Sequence, residues 1–128
     1  MNERQETGTI QMDVVIYPED SSWIAQALQF DIAAKGQTPI EAADNFTRAV
    51  AAEVVMSLEL GDPFPLAGVK PAPQEFWQLY KQADTKLEKE VSPIGLPELP
   101  AAPRIVPRLK MSDKRLVPAN GAAPYTRV

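Results

Sequence analysis

Apolar and polar positions alternate at the start of the chain: Ile10, Met12, Val14 and Ile16 fall on one side, Gln11 and Asp13 on the other. This period of two predicts a half-buried strand from Ile10 to Tyr17. Pro18-Glu19-Asp20-Ser21-Ser22 is a turn by composition. Alternation resumes from Trp23 to Phe30, with Ile24, Leu28 and Phe30 on one face and Trp23, Ala25 and Ala27 on the other. The short connection predicts an antiparallel hairpin. Ile32 to Lys35 reads as a short third strand, weakened by its alanines.

The period then changes. Thr38 fits a helix N-cap, Pro39 the first helical position and Glu41 the return partner of a capping box. Ile40, Ala43, Phe46, Val50, Val54 and Leu58 recur at helical spacing, so the helix runs to about Leu60, where Gly61-Asp62-Pro63 stops it. Its length is about 33 Å. Each large apolar side chain buried on a sheet contributes roughly 1.5–3 kcal/mol. A second stripe, Ala42, Ala49, Met56 and Leu60, falls nearly opposite. It reads either as alanine placed by helix propensity or as a second contact surface.

Pro63, Pro65, Pro71 and Pro73 mark an irregular connector. From Gln74 to about Lys89 a second helix is predicted, with Phe76, Tyr80, Ala83 and Leu87 in a stripe and Trp77 beside it. It packs on its own domain or docks on a partner groove. From Ser92 onward 7 of 37 residues are proline and no period survives, which predicts a disordered basic tail. On that reading, deleting residues 93–128 leaves the melting temperature almost unchanged. The expected fold is α+β: a three-stranded antiparallel sheet in β-β-β-α order, one long helix packed on it, a shorter second helix and the Pro-rich tail. The expected division is a disordered N-terminus over 1–8, a domain over 9–91 and the tail over 92–128.

Composition narrows the chemistry. The 128 residues suit one domain and include neither cysteine nor histidine. Disulfides, zinc–thiolate sites, thiol nucleophiles and the commonest general base are thereby excluded. No metal, cofactor or enzymatic activity is expected. Met1 to Gly8 is too polar for a signal peptide, and no apolar run spans a bilayer, so a cytoplasmic location is expected. Asp13, mid-strand, and Asp31, near a strand junction, could both face one end of the sheet, as the remnant of a nuclease site. Solvated outward positions explain them more simply.

Charge is unevenly spread. Residues 1–91 hold 7 basic and 15 acidic side chains, and residues 92–128 hold 6 and 2, giving −8 and +4. An acidic body suits a basic protein partner and argues against direct nucleic-acid binding by the body. The candidates for partner contact are therefore Trp23, the stripe Ala42, Ala49, Met56 and Leu60, then Trp77, and in the tail Arg104, Arg108, Lys110, Lys114 and Arg115. The tail cations serve an acidic partner, nucleic acid, the chain's own acidic body, or solubility alone.

Val14-Val15-Ile16-Tyr17, Glu19-Asp20, Trp23-Ile24-Ala25 and the helix entry Gly36-x-Thr38-x-x-Glu41-Ala42-x-x-Asn45, closed by Ala49-Val50, together resemble the HicB antitoxin family over residues 9–60. The resemblance implies a small sheet under one long helix, a partial ribonuclease-H-like arrangement without that enzyme's chemistry. It implies masking of a small basic HicA-type RNA-cleaving toxin, in a toxin–antitoxin system, and homo-oligomers. The chain departs from the family pattern before the third strand, where Phe30-Asp31-Ile32-Ala33-Ala34 replaces a proline–glycine turn, and no DNA-binding motif follows. Those departures fit a standalone HicB-like subgroup, for which the alternative role is an oligomeric adaptor or scaffold binding another protein through its fold or tail.

Overall fold

A computed structural model describes residues 9–62, 65–87 and 104–114. The strands are β1 (Thr9–Glu19), β2 (Ser22–Ala27), β3 (Ala33–Gly36), β4 (Thr85–Lys86) and β5 (Arg104–Met111), and the helices are α1 (Pro39–Glu59) and α2 (Gln74–Gln82). The five strands form one mixed sheet in the order β3-β2-β1-β5-β4. β1 pairs antiparallel with β2, and β2 with β3, as the hairpin pattern predicts. β5 then lies parallel to β1 over eight residue pairs, from Thr9↔Arg104 to Ile16↔Met111.

The expected three-stranded sheet is thus corrected to five strands. Its missing members lie in stretches read as helix and as tail. β4 occupies Thr85–Lys86, where the second helix was expected to continue; α2 ends at Gln82, and the chain pairs with Met111 and Lys110 of β5 instead. β5 comes from the Pro-rich tail. Pro107 does not prevent this. The Ser112 amide bonds the Ile16 carbonyl at 2.8 Å. Alternation along a parallel ladder then turns the Pro107 nitrogen away from β1, where the missing N–H breaks no bond to that strand. The remaining expectations for residues 1–8 and for the rest of the tail fall outside the described residues.

Each face of the sheet carries its own core. On one, Met12, Val14, Ile16, Ala25, Ala27 and Ile105 pack against Phe46, Val50 and Val54 of α1. On the other, Val15, Tyr17, Ile24 and Leu28 pack against Phe76 and Leu79 of α2, with the Tyr17 and Phe76 rings 5.9 Å apart. β1 is therefore buried on both sides from Val14 to Tyr17. The unbroken apolar run Val14-Val15-Ile16-Tyr17 signals this, since two-sided strands lose their alternation. The connector carries the chain between faces. Leu66 belongs to the α1 core and Ala72 to the α2 core, and the segment between them bonds the loop after β2 through Asp31 N–H to Lys70 O and Ala72 N–H to Leu28 O. Leu66 is buried there despite a left-handed φ of 66°. Phe30 departs from the alternation of β2: the strand ends at Ala27, and Phe30 packs on the α1 side.

The junction from β3 to α1 accounts for the helix-entry motif residue by residue. A Cβ on Gly36 would overlap the backbone of Glu41 and Ala42, so the strand end and the first helical turn touch main chain to main chain. Thr38 Oγ1 accepts from the Glu41 amide at 3.0 Å. The Glu41 carboxylate accepts from the Gln37 amide, one residue earlier than in a standard capping box. Asn45 Nδ2 donates to the Lys35 carbonyl at 2.8 Å, fastening the helix to the edge strand. On the far side Ser57 accepts from the Leu66 amide at 3.0 Å and donates to Asp62 at 2.6 Å.

Candidate functional site

The described residues offer two surfaces beyond the cores. The first is a polar hub where α2, β1 and β5 meet. The backbone ladder between β1 and β2 ends where the Leu28 amide bonds the Asp13 carbonyl at 2.9 Å. The Gln29 side chain continues it: its Oε1 accepts from the Asp13 amide at 2.8 Å and its Nε2 donates to Asp13 Oδ2 at 2.9 Å. The other carboxylate oxygen, Oδ1, accepts from Tyr80 Oη at 3.1 Å and from Arg108 Nε at 3.0 Å, with Arg108 Nη2 also 3.0 Å away. Arg108 stands directly across from Asp13 in the parallel register, which fixes the pair. Lys110, two residues on and on the same face, holds its Nζ 4.6 Å from the centre of the Tyr80 ring, a cation–π distance.

Burial pushes the Tyr80 hydroxyl above its ordinary pKa. The Asp13 charge and the hydrogen bond to it push the same way, while Arg108 pulls partly back. Tyr80 is therefore a neutral donor to Asp13 at physiological pH. A shallow groove of about 510 Å³ opens beside the hub, lined in part by Leu28, Trp77 and Tyr80 and by Lys81 and Lys110. The Trp77 indole donates to Ala72 O at 3.0 Å, which fixes the ring at the groove wall.

The second surface is the outer side of α1. Met56 is 57% and Leu60 74% exposed, both on the same arc as the exposed Ala52 and Glu53. Glu59 ends the helix, and its last turn carries no basic residue. Acidic charge at a helix C-terminus opposes the dipole by about 0.3–1 kcal/mol. This end of α1 is thus apolar, negative and uncompensated within its own turn.

The candidates named from sequence divide accordingly. The stripe Ala42, Ala49, Met56 and Leu60 is not one surface: Ala42 is fully buried against Gly36 and Ala49 packs on the α1 core, while Met56 and Leu60 face outward. Ile40, read as core, is 46% exposed in the first turn. Trp23 packs against the α1 core and Trp77 against the α2 core. Arg108 and Lys110 belong to the hub, Lys114 is exposed past β5, and Arg104 pairs by its backbone with Thr9. Arg115 lies outside the described residues. Asp13 and Asp31 are held by different partners. Asp31 accepts from Gln26 Nε2 at 2.8 Å, and among the described residues no three His, Cys, Asp or Glu side chains converge. Gln29 and Tyr80, the organisers of the hub, were missed from sequence because nothing local places residue 80 beside residue 13. The sign of charge at 108 against 13 becomes informative only once the register is known.

The fold is α+β, a five-stranded mixed sheet between two helices, and no helix of the described residues is long and apolar enough to cross a membrane. Comparison with protein-family models, curated proteins and solved structures finds no match for the chain.

Proposed function

We propose that the protein is a non-catalytic binding domain of the cytoplasm that recognises a basic protein partner, in the manner of a HicB-type antitoxin masking an RNA-cleaving toxin. One observation carries the reading: Met56 and Leu60 project from the outer side of α1 beside Glu53 and Glu59, at a helix end without a basic residue. Exposed apolar side chains rimmed by uncompensated acids suit a partner that brings an apolar patch edged by lysine or arginine. A second copy of the chain is a poorer occupant, because the same face would bring Glu53 and Glu59 of both copies together. The β-β-β-α order over residues 9–59 agrees with what the helix-entry resemblance implies, and the net charge of −8 over residues 1–91 favours the same class of partner.

The hub supports binding over catalysis. Both oxygens of Asp13 are already engaged, by Gln29 on one side and by Tyr80 and Arg108 on the other. A carboxylate so held is a structural clamp rather than a base awaiting a substrate.

The test is affinity isolation of the full chain beside the double variant Met56→Asp, Leu60→Asp, whose positions are exposed enough to spare the fold. The expected result is a basic protein retained by the wild type, released by added salt and lost with the variant. If that protein cleaves RNA and the chain inhibits it, the antitoxin reading stands. Equal retention by the variant, or an acidic partner, sinks the proposal. Association of the chain with itself alone assigns it to the adaptor class.

A further inference from the structure

We infer that the groove between α2 and β5 binds a small aromatic carboxylate. Its volume of about 510 Å³ lies within the range of small-molecule sites, roughly 300–1,000 Å³. The apolar and aromatic part of its lining is Leu28, Trp77 and Tyr80. Two of these are held in place: the Trp77 indole by Ala72 O and the Tyr80 hydroxyl by Asp13. A planar ring therefore meets a surface that has little side-chain freedom left to lose.

The electrostatics of the groove run opposite to those of the body. Lys81 and Lys110 border it, and neither forms an ion pair among the described residues. Lys110 leans its ammonium on the Tyr80 ring and keeps it turned toward the groove rather than toward an acid. The one carboxylate in the lining, Asp13, is already neutralised by Arg108. The groove is thus locally cationic although residues 1–91 carry −8. Screening over about 8 Å at physiological ionic strength lets the near lysines outweigh distant acids. The side-chain amides of Gln74 and Gln78 on α2 supply further donors beside the lysines. Aromatic lining, two cations and amide donors define the ligand: one ring to stack, one carboxylate to pair. This inference is independent of the α1 surface, which lies across the sheet.

The chain has two tryptophans, so its indole N–H region in a ¹⁵N–¹H spectrum holds two peaks, and Trp23→Phe assigns them. The full chain is titrated with phenylacetate, with neutral 2-phenylethanol and with a tetraglutamate peptide. We expect phenylacetate to shift the Trp77 indole and the Lys81 and Lys110 amides, with a dissociation constant on the order of 1 mM. The Trp23 indole stays still, and phenylethanol acts much more weakly. Lys81→Met and Lys110→Met each weaken phenylacetate binding by about two- to fivefold, as for partly exposed ion pairs. Both variants keep the aliphatic stem, and amide peaks unchanged away from the groove verify the fold. The inference is overturned if phenylacetate shifts nothing up to about ten times that constant, or if phenylethanol binds equally well. Undiminished binding by the double lysine variant also overturns it. Shifts from tetraglutamate without any from phenylacetate would reassign the groove to acidic peptides.

Discussion

The two faces of the sheet are closed by different means. α1 lies on its face with 21 residues and an apolar contact set of Phe46, Val50 and Val54, entered through a backbone-to-backbone junction at Gly36. α2 covers the opposite face with 9 residues, begins without a side-chain cap and anchors itself by Phe76 and Leu79. Beside those apolar anchors, polar chemistry takes over: Tyr80 of α2 meets Asp13 of β1, and Arg108 and Lys110 of β5 close round the pair. One face is thus specified by local sequence, while the other depends on residues that meet across the chain. The groove is found on the second face, and the exposed apolar end of α1 lies on the outside of the first.

The largest effect follows from removing β5. β1 turns the backbone groups of Ile10, Met12, Val14 and Ile16 toward β5, and the side chains of Met12, Val14 and Ile16 are fully buried. Removing β5 gives up these hydrogen bonds to water, at about 0.5–1.5 kcal/mol each, and uncovers the core that Ile105 and Leu109 pack against, at roughly 1.5–3 kcal/mol for each large apolar side chain. The sum approaches a whole domain's stability of roughly 5–15 kcal/mol. A chain ended at residue 103 is therefore expected to lose its cooperative urea transition. That reverses what the proline content alone suggests, and a preserved transition would show that the first three strands and α1 suffice.

Next come the two helix anchors. Phe46→Ala and Phe76→Ala each empty a fully buried aromatic site and cost about 3–5 kcal/mol where the structure stays intact. They differ in where the loss appears. Phe46→Ala lowers global stability in denaturant. Phe76→Ala is expected to open α2 locally, so amide exchange speeds up in Gln74–Gln82 more than in β1. Equal exchange increases across both helices would mean the two faces fold as one unit.

Gly36→Ala tests the junction. The added methyl meets backbone atoms of Glu41 and Ala42 and has no flexible neighbour to displace. A loss of about 1–3 kcal/mol in chemical denaturation is expected, as for overpacking a fixed site. An unchanged midpoint would mean that strand and helix separate easily there.

The same contrast explains what could be read from the chain. The hairpin, the short third strand and the start and stop of α1 were legible because each rests on neighbours in sequence: alternation in 10–17, Thr38 and Glu41 around Pro39, Gly61 at the helix end. The α1 core was legible through Phe46, Val50 and Val54. β5 was not, because a parallel partner leaves no turn signal and Pro107 argues against a strand unless its unpaired side is known. The end of α2 was hidden for a related reason: Ala83 and Leu87 keep helical spacing, but pairing of Thr85 and Lys86 with β5 overrides it. Of the candidate contact residues, Met56 and Leu60 face outward, as the stripe they share with Ala42 suggested. Ala42 itself was misplaced, since only the close approach of Gly36 reveals why alanine is needed there.

The smallest effect probes the polar face by itself. Tyr80→Phe removes one hydrogen bond to Asp13 and leaves the ring under Lys110, so at neutral pH it costs about 1 kcal/mol for a part-buried pair. Its value lies in the pH dependence. The folded protein holds the Tyr80 proton more tightly than the unfolded chain does, chiefly through burial and then through Asp13. The contribution is therefore complete below the unfolded tyrosine pKa of about 10. It is lost as pH rises from there through the raised folded value. Ionised Tyr80 would face the Asp13 carboxylate at hydrogen-bond distance, and Arg108 offsets only part of that repulsion. Wild type and variant are thus expected to run parallel from neutral pH to about 9 and to converge above 10. Arg108→Gln supplies the complementary change: without the guanidinium the tyrosine proton is held more tightly still, and the alkaline loss begins from a less stable protein. If Tyr80→Phe shows the same alkaline slope as wild type, the alkaline titration belongs to another group; if it also leaves stability at neutral pH unchanged, the Asp13 hub is no clamp between α2 and the sheet.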